Sequence, residues 1–213
     1  MNPDLLNLAV PIAIVLVALT IHEAAHAWSA DKLGDPTARL LGRVSLNPIV
    51  HIDPIGTILL PLLAAYSGLP IIGWAKPVPV NTSRFRDPRR DFMIVAAAGP
   101  ISNLLQALVA AMGLHLLTPA GQGVFTSISQ SLAADVLFMA VQINVFLAVF
   151  NLIPVPPLDG GNVLAGILPP SAGHLFDAIR PFGFIILYAL MFTGALSALI
   201  LPPAFFLIRL LLP

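Results

Sequence analysis

The chain contains no cysteine, so it has neither disulfide staples nor thiolate ligands, and any metal it holds must be bound by His, Asp or Glu. Charge is equally scarce: 9% of the 213 residues are charged, against roughly 25% in a soluble domain. Ten basic residues balance ten acidic ones, and no Lys/Arg stripe interleaved with aromatics is present, which excludes a nucleic-acid partner. Glutamate is the rarest acid, Glu23 standing alone beside nine aspartates. What fills the sequence instead is apolar: 58% hydrophobic residues and a mean hydropathy of +0.94 mark a membrane protein.

Four stretches match the roughly 20 residues of helix that cross a hydrocarbon core of about 30 Å. They are 5–28, 92–117, 132–153 and 182–201, the last followed by an apolar tail. The first is preceded by Asp4 and by no Lys or Arg, so it lacks the positive n-region of a secretory signal and reads as a retained span. A fifth apolar run, 55–69, is shorter and carries Pro61. Charge and parity decide how it is read. Lys32, Arg39, Arg43, Lys76, Arg84, Arg86, Arg89 and Arg90 all lie between the first two long spans. If 55–69 is re-entrant, these residues and Arg180 share the face that the positive-inside rule assigns to the cytoplasm; a full crossing would split the eight, three against five. A re-entrant run also lets the ends of the first and third spans meet on one face. The sequence therefore predicts a single domain, 1–213, with an all-α polytopic fold: a bundle of about four transmembrane helices, N-terminus outside, with a re-entrant or β-hairpin-like insert over 31–91 that dips into the membrane from the cytoplasmic side. The expected location is the cell membrane, multi-pass, with the lipid bilayer as a partner. Within the insert, 38–44 and 73–80 read as short extended segments. Pro77 and Pro79 oppose helix and leave 76–80 as an edge strand or extended loop, which either pairs with a substrate backbone by strand addition or simply joins two spans.

His22-Glu23-Ala24-Ala25-His26 is an H-E-x-x-H sequence at the end of the first span. On a helix, the i, i+4 spacing stacks both imidazoles on one face about a turn apart, where they can grip one ion. Zinc takes two such nitrogens, and a glutamate beside the first histidine serves as general base for the attacking water. His, Glu and His inside an apolar span are costly to place and point to function. A catalytic zinc needs a third protein ligand, and Asp159 is a candidate. It follows Pro154, Pro156 and Pro157 and precedes Gly160 and Gly161, irregular backbone that is tolerated at membrane depth where it lines a wet cavity. Local sequence equally allows Asp159 to be the N-cap of a short helix ending at Ile167.

Three motifs together resemble those of the site-2 protease family of intramembrane metalloproteases: His22-Glu23-Ala24-Ala25-His26, Gly99-Pro100-Ile101-Ser102-Asn103, and Asn151-Leu152 with Leu158-Asp159-Gly160. The likeness covers roughly residues 5–168 and fits the compact branch without a PDZ domain. It implies one Zn2+ per chain held by His22, His26 and Asp159, Glu23 as base, and single-span membrane proteins or signal-peptide remnants as substrates; the charge and parity arguments place the expected active site toward the cytoplasmic face. It also supports Asn151 as an amide donor to the oxyanion or the scissile peptide, the other reading being an interhelical hydrogen bond. Asn103 reads as packing, an amide bonding across helices. His51 is either a group near the metal or a hydrogen-bonding residue, and His115 and His174 read as interfacial. The rival class is a polytopic metal-ion transporter using the same His/Asp/Glu cluster.

Overall fold

The computed structural model describes residues 3–67, 73–118, 131–169 and 178–212. Among these the α-helices run α1 (Pro3–Lys32), α2 (Thr37–Leu40), α3 (Leu60–Ser67), α4 (Pro88–Leu117), α5 (Leu132–Asn151), α6 (Asp159–Ile167), α7 (Gly183–Phe192) and α8 (Ala195–Leu211). Helices α1, α4 and α5 are long and apolar enough to cross a membrane. The 30 residues of α1 or α4 extend about 45 Å, beyond the hydrocarbon thickness. Both outrun the apolar stretches that foretold them because polar residues complete their ends. Asp87 caps α4 by accepting from Arg90 N, with Pro88 at the position that needs no donor, and Ser131 caps α5 by accepting from Ala134 N.

The three long helices pack antiparallel in sequence order. His22 and His26 of α1 meet Asn103 and Val95 of α4, and α5 returns along α4. Small side chains allow the close approach on which packing in lipid depends: Ala107, Ala110 and Ala111 of α4 share a core with Val141, Val145 and Val149 of α5 and with Ala204 and Ile208 of α8. This order brings the C-terminal end of α1, the N-terminal half of α4 and the C-terminal end of α5 to one face, where the insert joins α1 to α4.

No strand, and so no β-hairpin, is present among the described residues of the insert. The expected extended segment 38–44 begins instead as the single turn α2, set up by Pro36 and ended at Gly42, whose φ of +70° suits glycine. Segment 73–80 forms neither helix nor ladder, because its prolines withhold donors and its carbonyls go elsewhere: Arg43 donates to Lys76 O at 2.5 Å and to Pro77 O at 3.2 Å. The ends of the insert are tied through Asp35, fully buried, which accepts from Thr37 Oγ1 at 2.5 Å and Asn81 N at 2.6 Å. Burial alone would raise the Asp35 carboxyl, but the bonds from Thr37 and Asn81 and the nearby Arg84 outweigh it and hold it below the usual carboxylate range.

The fifth apolar run forms a π-helical turn, Pro54–Leu59, that continues into α3. Asp53 caps it, accepting from Ile55 N at 3.0 Å and Gly56 N at 2.7 Å. Residues 54–67 reach only about 20 Å, too short to cross. The chain then returns to its point of departure: Trp74 N donates to Gly56 O at 3.2 Å, Thr57 Oγ1 to Trp74 O at 2.8 Å, and Lys76 N to His51 O at 2.8 Å. A side chain at Gly56 would run into the Trp74 indole.

The fourth expected span, 182–201, is not one helix. Helix α7 ends at Phe192, Gly194 takes φ +75°, and α8 leaves at an angle of 79° to the helix before it, absorbing the apolar tail. Hydropathy alone is blind to this break, because a Thr193-Gly194 pair barely lowers a window average while a left-handed glycine ends a helix outright.

Candidate metal centre and active site

His22 and His26 lie one turn apart on α1, both buried. Their Nδ1 atoms face acceptors: Asn103 Oδ1 lies 2.6 Å from His22 Nδ1, and Val95 O lies 2.7 Å from His26 Nδ1. In each neutral ring Nδ1 therefore carries the proton and Nε2 presents a bare lone pair. These two Nε2 atoms are 3.0 Å apart. Asp159 Oδ2 stands 3.1 Å from the first and 3.4 Å from the second, fully enclosed and with no hydrogen-bond partner.

Three acceptors directed at one another in a buried space repel unless a cation sits among them. A proton can bridge two of them, whereas a tetrahedral metal engages all three. Zinc takes nitrogen and oxygen donors at about 2.0–2.2 Å, so neighbouring donors of a tetrahedron lie about 3.3 Å apart, close to the three separations found. The donor set thus fits zinc. Among the described residues, His22, His26 and Asp159 are the one group of three ligating side chains.

Asp159 is not the N-cap of α6. That position belongs to Leu158, and Asp159 is the first helical residue with its carboxylate turned to the histidines. Gly160 makes this possible: a Cβ there would collide with the backbone carbonyls of Leu152 and Ile153, so the turn after α5 can close only on glycine. Val155 N donates to Ile153 O and Leu158 N to Val155 O, tightening the proline-rich connection so that the start of α6 folds back toward α1. A Cβ on Gly99 would sit 2.6 Å from His22 Nε2 and closer still to His26 Nε2, so the backbone of α4 forms one wall of the centre. Gly99→Ala is expected to cut zinc affinity at least tenfold while leaving the helical circular-dichroism signal intact. Wild-type affinity in a chelator competition would contradict this placement.

Glu23, half-buried beside His22, has no hydrogen-bond partner among the described residues. On the insert side lies Arg43, a buried cation whose guanidinium burial pushes below its usual value and the negative charge of Glu23 pulls back. Its Nε is buried without a partner. His51 is buried beside it, donating from Nε2 to Ser45 O at 2.8 Å with Nδ1 3.5 Å from Arg43. The structure thus places His51 in the hydrogen bonding of the insert and not among the metal donors. His115 bonds Leu211 O at 3.0 Å and is exposed, and His174 lies outside the described residues.

Asn151 ends α5 and donates from Nδ2 to Leu147 O at 2.9 Å in its own helix; among the described residues no hydrogen bond joins it to the three donors. Asn103 does more than pack: it accepts from His22 and donates to Asn144 Oδ1 at 3.0 Å. Asn144 was passed over in the sequence, although an amide in the middle of an apolar span was itself the signal.

The profile of peptidase family M50 matches residues 122–194, a stretch that includes Asp159 but not the histidine pair. A Bacillus subtilis protein named as a zinc metalloprotease, YwhC, is 39% identical over 190 residues, 89% of this chain and 82% of its own length. Rip2 of Mycobacterium tuberculosis, also named as a zinc metalloprotease, is 32% identical over 85% of this chain and 66% of its own; Rip2 of Mycolicibacterium smegmatis is 29% identical over the same shares. No solved structure gives a significant match. The likeness to YwhC runs through nearly the whole of both chains, far past the profile's limits, and it carries the conclusion that the three motifs suggested: the chain belongs to peptidase family M50, the site-2 protease family of intramembrane zinc metalloproteases.

Proposed function

We propose that this zinc metalloprotease hydrolyses peptide bonds of membrane-spanning substrates near the cytoplasmic face of a cell membrane, with His22, His26 and Asp159 as zinc ligands and Glu23 as general base. The observation that carries the reading is the convergence of His22 Nε2, His26 Nε2 and the unpartnered Asp159 Oδ2 on one point. Bound zinc supplies the Lewis acidity that polarises a peptide carbonyl and acidifies water. Glu23 takes a proton from the attacking water and passes it to the leaving amine. The second N–H of the Asn151 amide, not used on Leu147, is offered to the substrate carbonyl as its oxygen gains charge.

A peptide carbonyl inside a helix is bonded to the N–H four residues on, so the substrate has to be extended before it can react. Segment 76–80 is anchored at the Lys76 and Pro77 carbonyls by Arg43, and its backbone from Val78 to Val80 is the edge proposed for this step. The insert itself presents Leu40, Leu41, Leu46 and Ile49 outward, Ile49 at 72% exposure, an apolar surface suited to lipid and not to water. Together with the return of Trp74 to Gly56, this supports a re-entrant insert, and the basic residues that flank it support a cytoplasmic location.

The transporter reading has no support from the family or the relatives, all of which are peptidases by name. The test is cleavage of a panel of single-span substrates by the purified chain in detergent. Cutting that a chelator abolishes and added zinc restores is the expected result; a zinc-loaded chain that cuts none of the panel would overturn the proposal.

A further inference from the structure

We propose that Asn144 is a positioning residue for the metal centre, acting through the Asn103 carboxamide to fix which nitrogen of His22 faces the metal. The inference deepens the zinc-site reading and rests on it. Asn144 is buried in the middle of α5, 4% exposed, and Asn103 on α4 is fully buried. Neither touches the donor cluster's centre, and no motif of the chain assigns Asn144 a role.

The hydrogen bonds have a direction, and it propagates. Asn144 Nδ2 donates to Ala140 O, one turn back in its own helix, at 3.0 Å. That contact requires the amine end of the amide to point at the carbonyl, so Asn144 Oδ1 faces α4 as an acceptor. Asn103 must then present its own amine, and its Nδ2 donates to Asn144 Oδ1 at 3.0 Å, with Ala18 O of α1 at 3.4 Å. This leaves Asn103 Oδ1 as the atom that meets His22 Nδ1 at 2.6 Å. An oxygen there admits only a protonated Nδ1, and the lone pair of His22 is thereby placed on Nε2, the atom 3.0 Å from His26 Nε2 and 3.1 Å from Asp159 Oδ2. A flipped Asn103 would set an amine against Nδ1 and favour the other tautomer. Outer partners of this kind, which orient a ligating imidazole, typically change metal affinity by 10–100-fold when removed. His26 has its own anchor in the Val95 carbonyl, a backbone acceptor that cannot flip. Only His22 relies on amides whose orientation must be set, and the relay that sets it ties the three long helices together at one level.

The substitutions that separate this role from simple packing are Asn144→Asp and Asn144→Ala. Aspartate keeps the acceptor for Asn103 Nδ2 and so keeps the direction of the relay; alanine removes it. Zinc affinity is read by chelator competition on the purified full chain, beside the thermal midpoint of the metal-free protein and the absorption spectrum of the cobalt-substituted one. Asn144→Ala is expected to weaken zinc about tenfold and to alter the cobalt bands, and Asn144→Asp to stay within about threefold of wild type. Should the metal-free midpoint fall equally in both variants, the aspartate still separates the two roles through zinc. Wild-type affinity in Asn144→Ala, or equal losses in both variants, would overturn the relay. A wild-type chain that binds no zinc would instead overturn the metal centre itself, so the two failures are distinguishable.

Discussion

Glu23→Gln is expected to abolish detectable cleavage while the purified chain keeps its zinc. Glutamine matches glutamate in shape but accepts no proton at neutral pH, and general base catalysis is worth about 10²–10⁴-fold, so turnover should fall by on the order of a thousandfold or more. Zinc should stay because Glu23 contributes none of the three converging atoms; those belong to His22, His26 and Asp159. The neutral side chain also removes the charge that Arg43 feels, yet Arg43 remains held by the Lys76 and Pro77 carbonyls, so the insert should keep its place. Turnover and zinc content are measured on the same preparation. Loss of both together would move Glu23 from the role of base to that of ligand.

Asp159→Ala is expected to have the complementary effect: zinc affinity falls by about a hundredfold or more and activity falls with it. Two imidazoles remain, and a catalytic site needs a third protein ligand to hold the ion. The metal-free protein should respond in the opposite sense. Without zinc or a bridging proton, Asp159 Oδ2 is an enclosed acceptor with no donor, beside two bare nitrogens, and an unsatisfied buried polar group costs about 1–3 kcal/mol. Removing it should leave the metal-free variant at least as stable as metal-free wild type, even though the zinc-loaded wild type is the more stable of the two loaded forms. A thermal melt of both proteins with and without chelator tests the reversal of order.

Much of this was legible in the sequence because its constraints are local. His22 and His26 declare themselves through helical spacing, and the three long helices through apolar runs. The re-entrant course proposed for 55–69 rests on charge and parity, and the hydrogen bonds that tie Trp74 to Gly56 and Thr57 add support to it. What escaped were features set by single residues or by distant partners. The break at Gly194 depends on one φ angle, and the expected extended segment at 38–44 gives way to a helical turn closed at Gly42. Asp159 could be read as a cap or a ligand until the fold of the 152–158 connection, closed against Gly160, turned its carboxylate toward α1. Asn144 carries no spacing signal at all, since its partner lies 41 residues away.

The most direct test of the account is zinc K-edge X-ray absorption on the purified wild-type chain, with Asp159→Ala alongside. The account predicts one zinc per chain in wild type, bound by two imidazoles with oxygen completing the shell, and an occupancy largely lost in the variant. A wild type without zinc, a zinc spectrum lacking imidazole scattering, or an identical spectrum and occupancy in Asp159→Ala would contradict it.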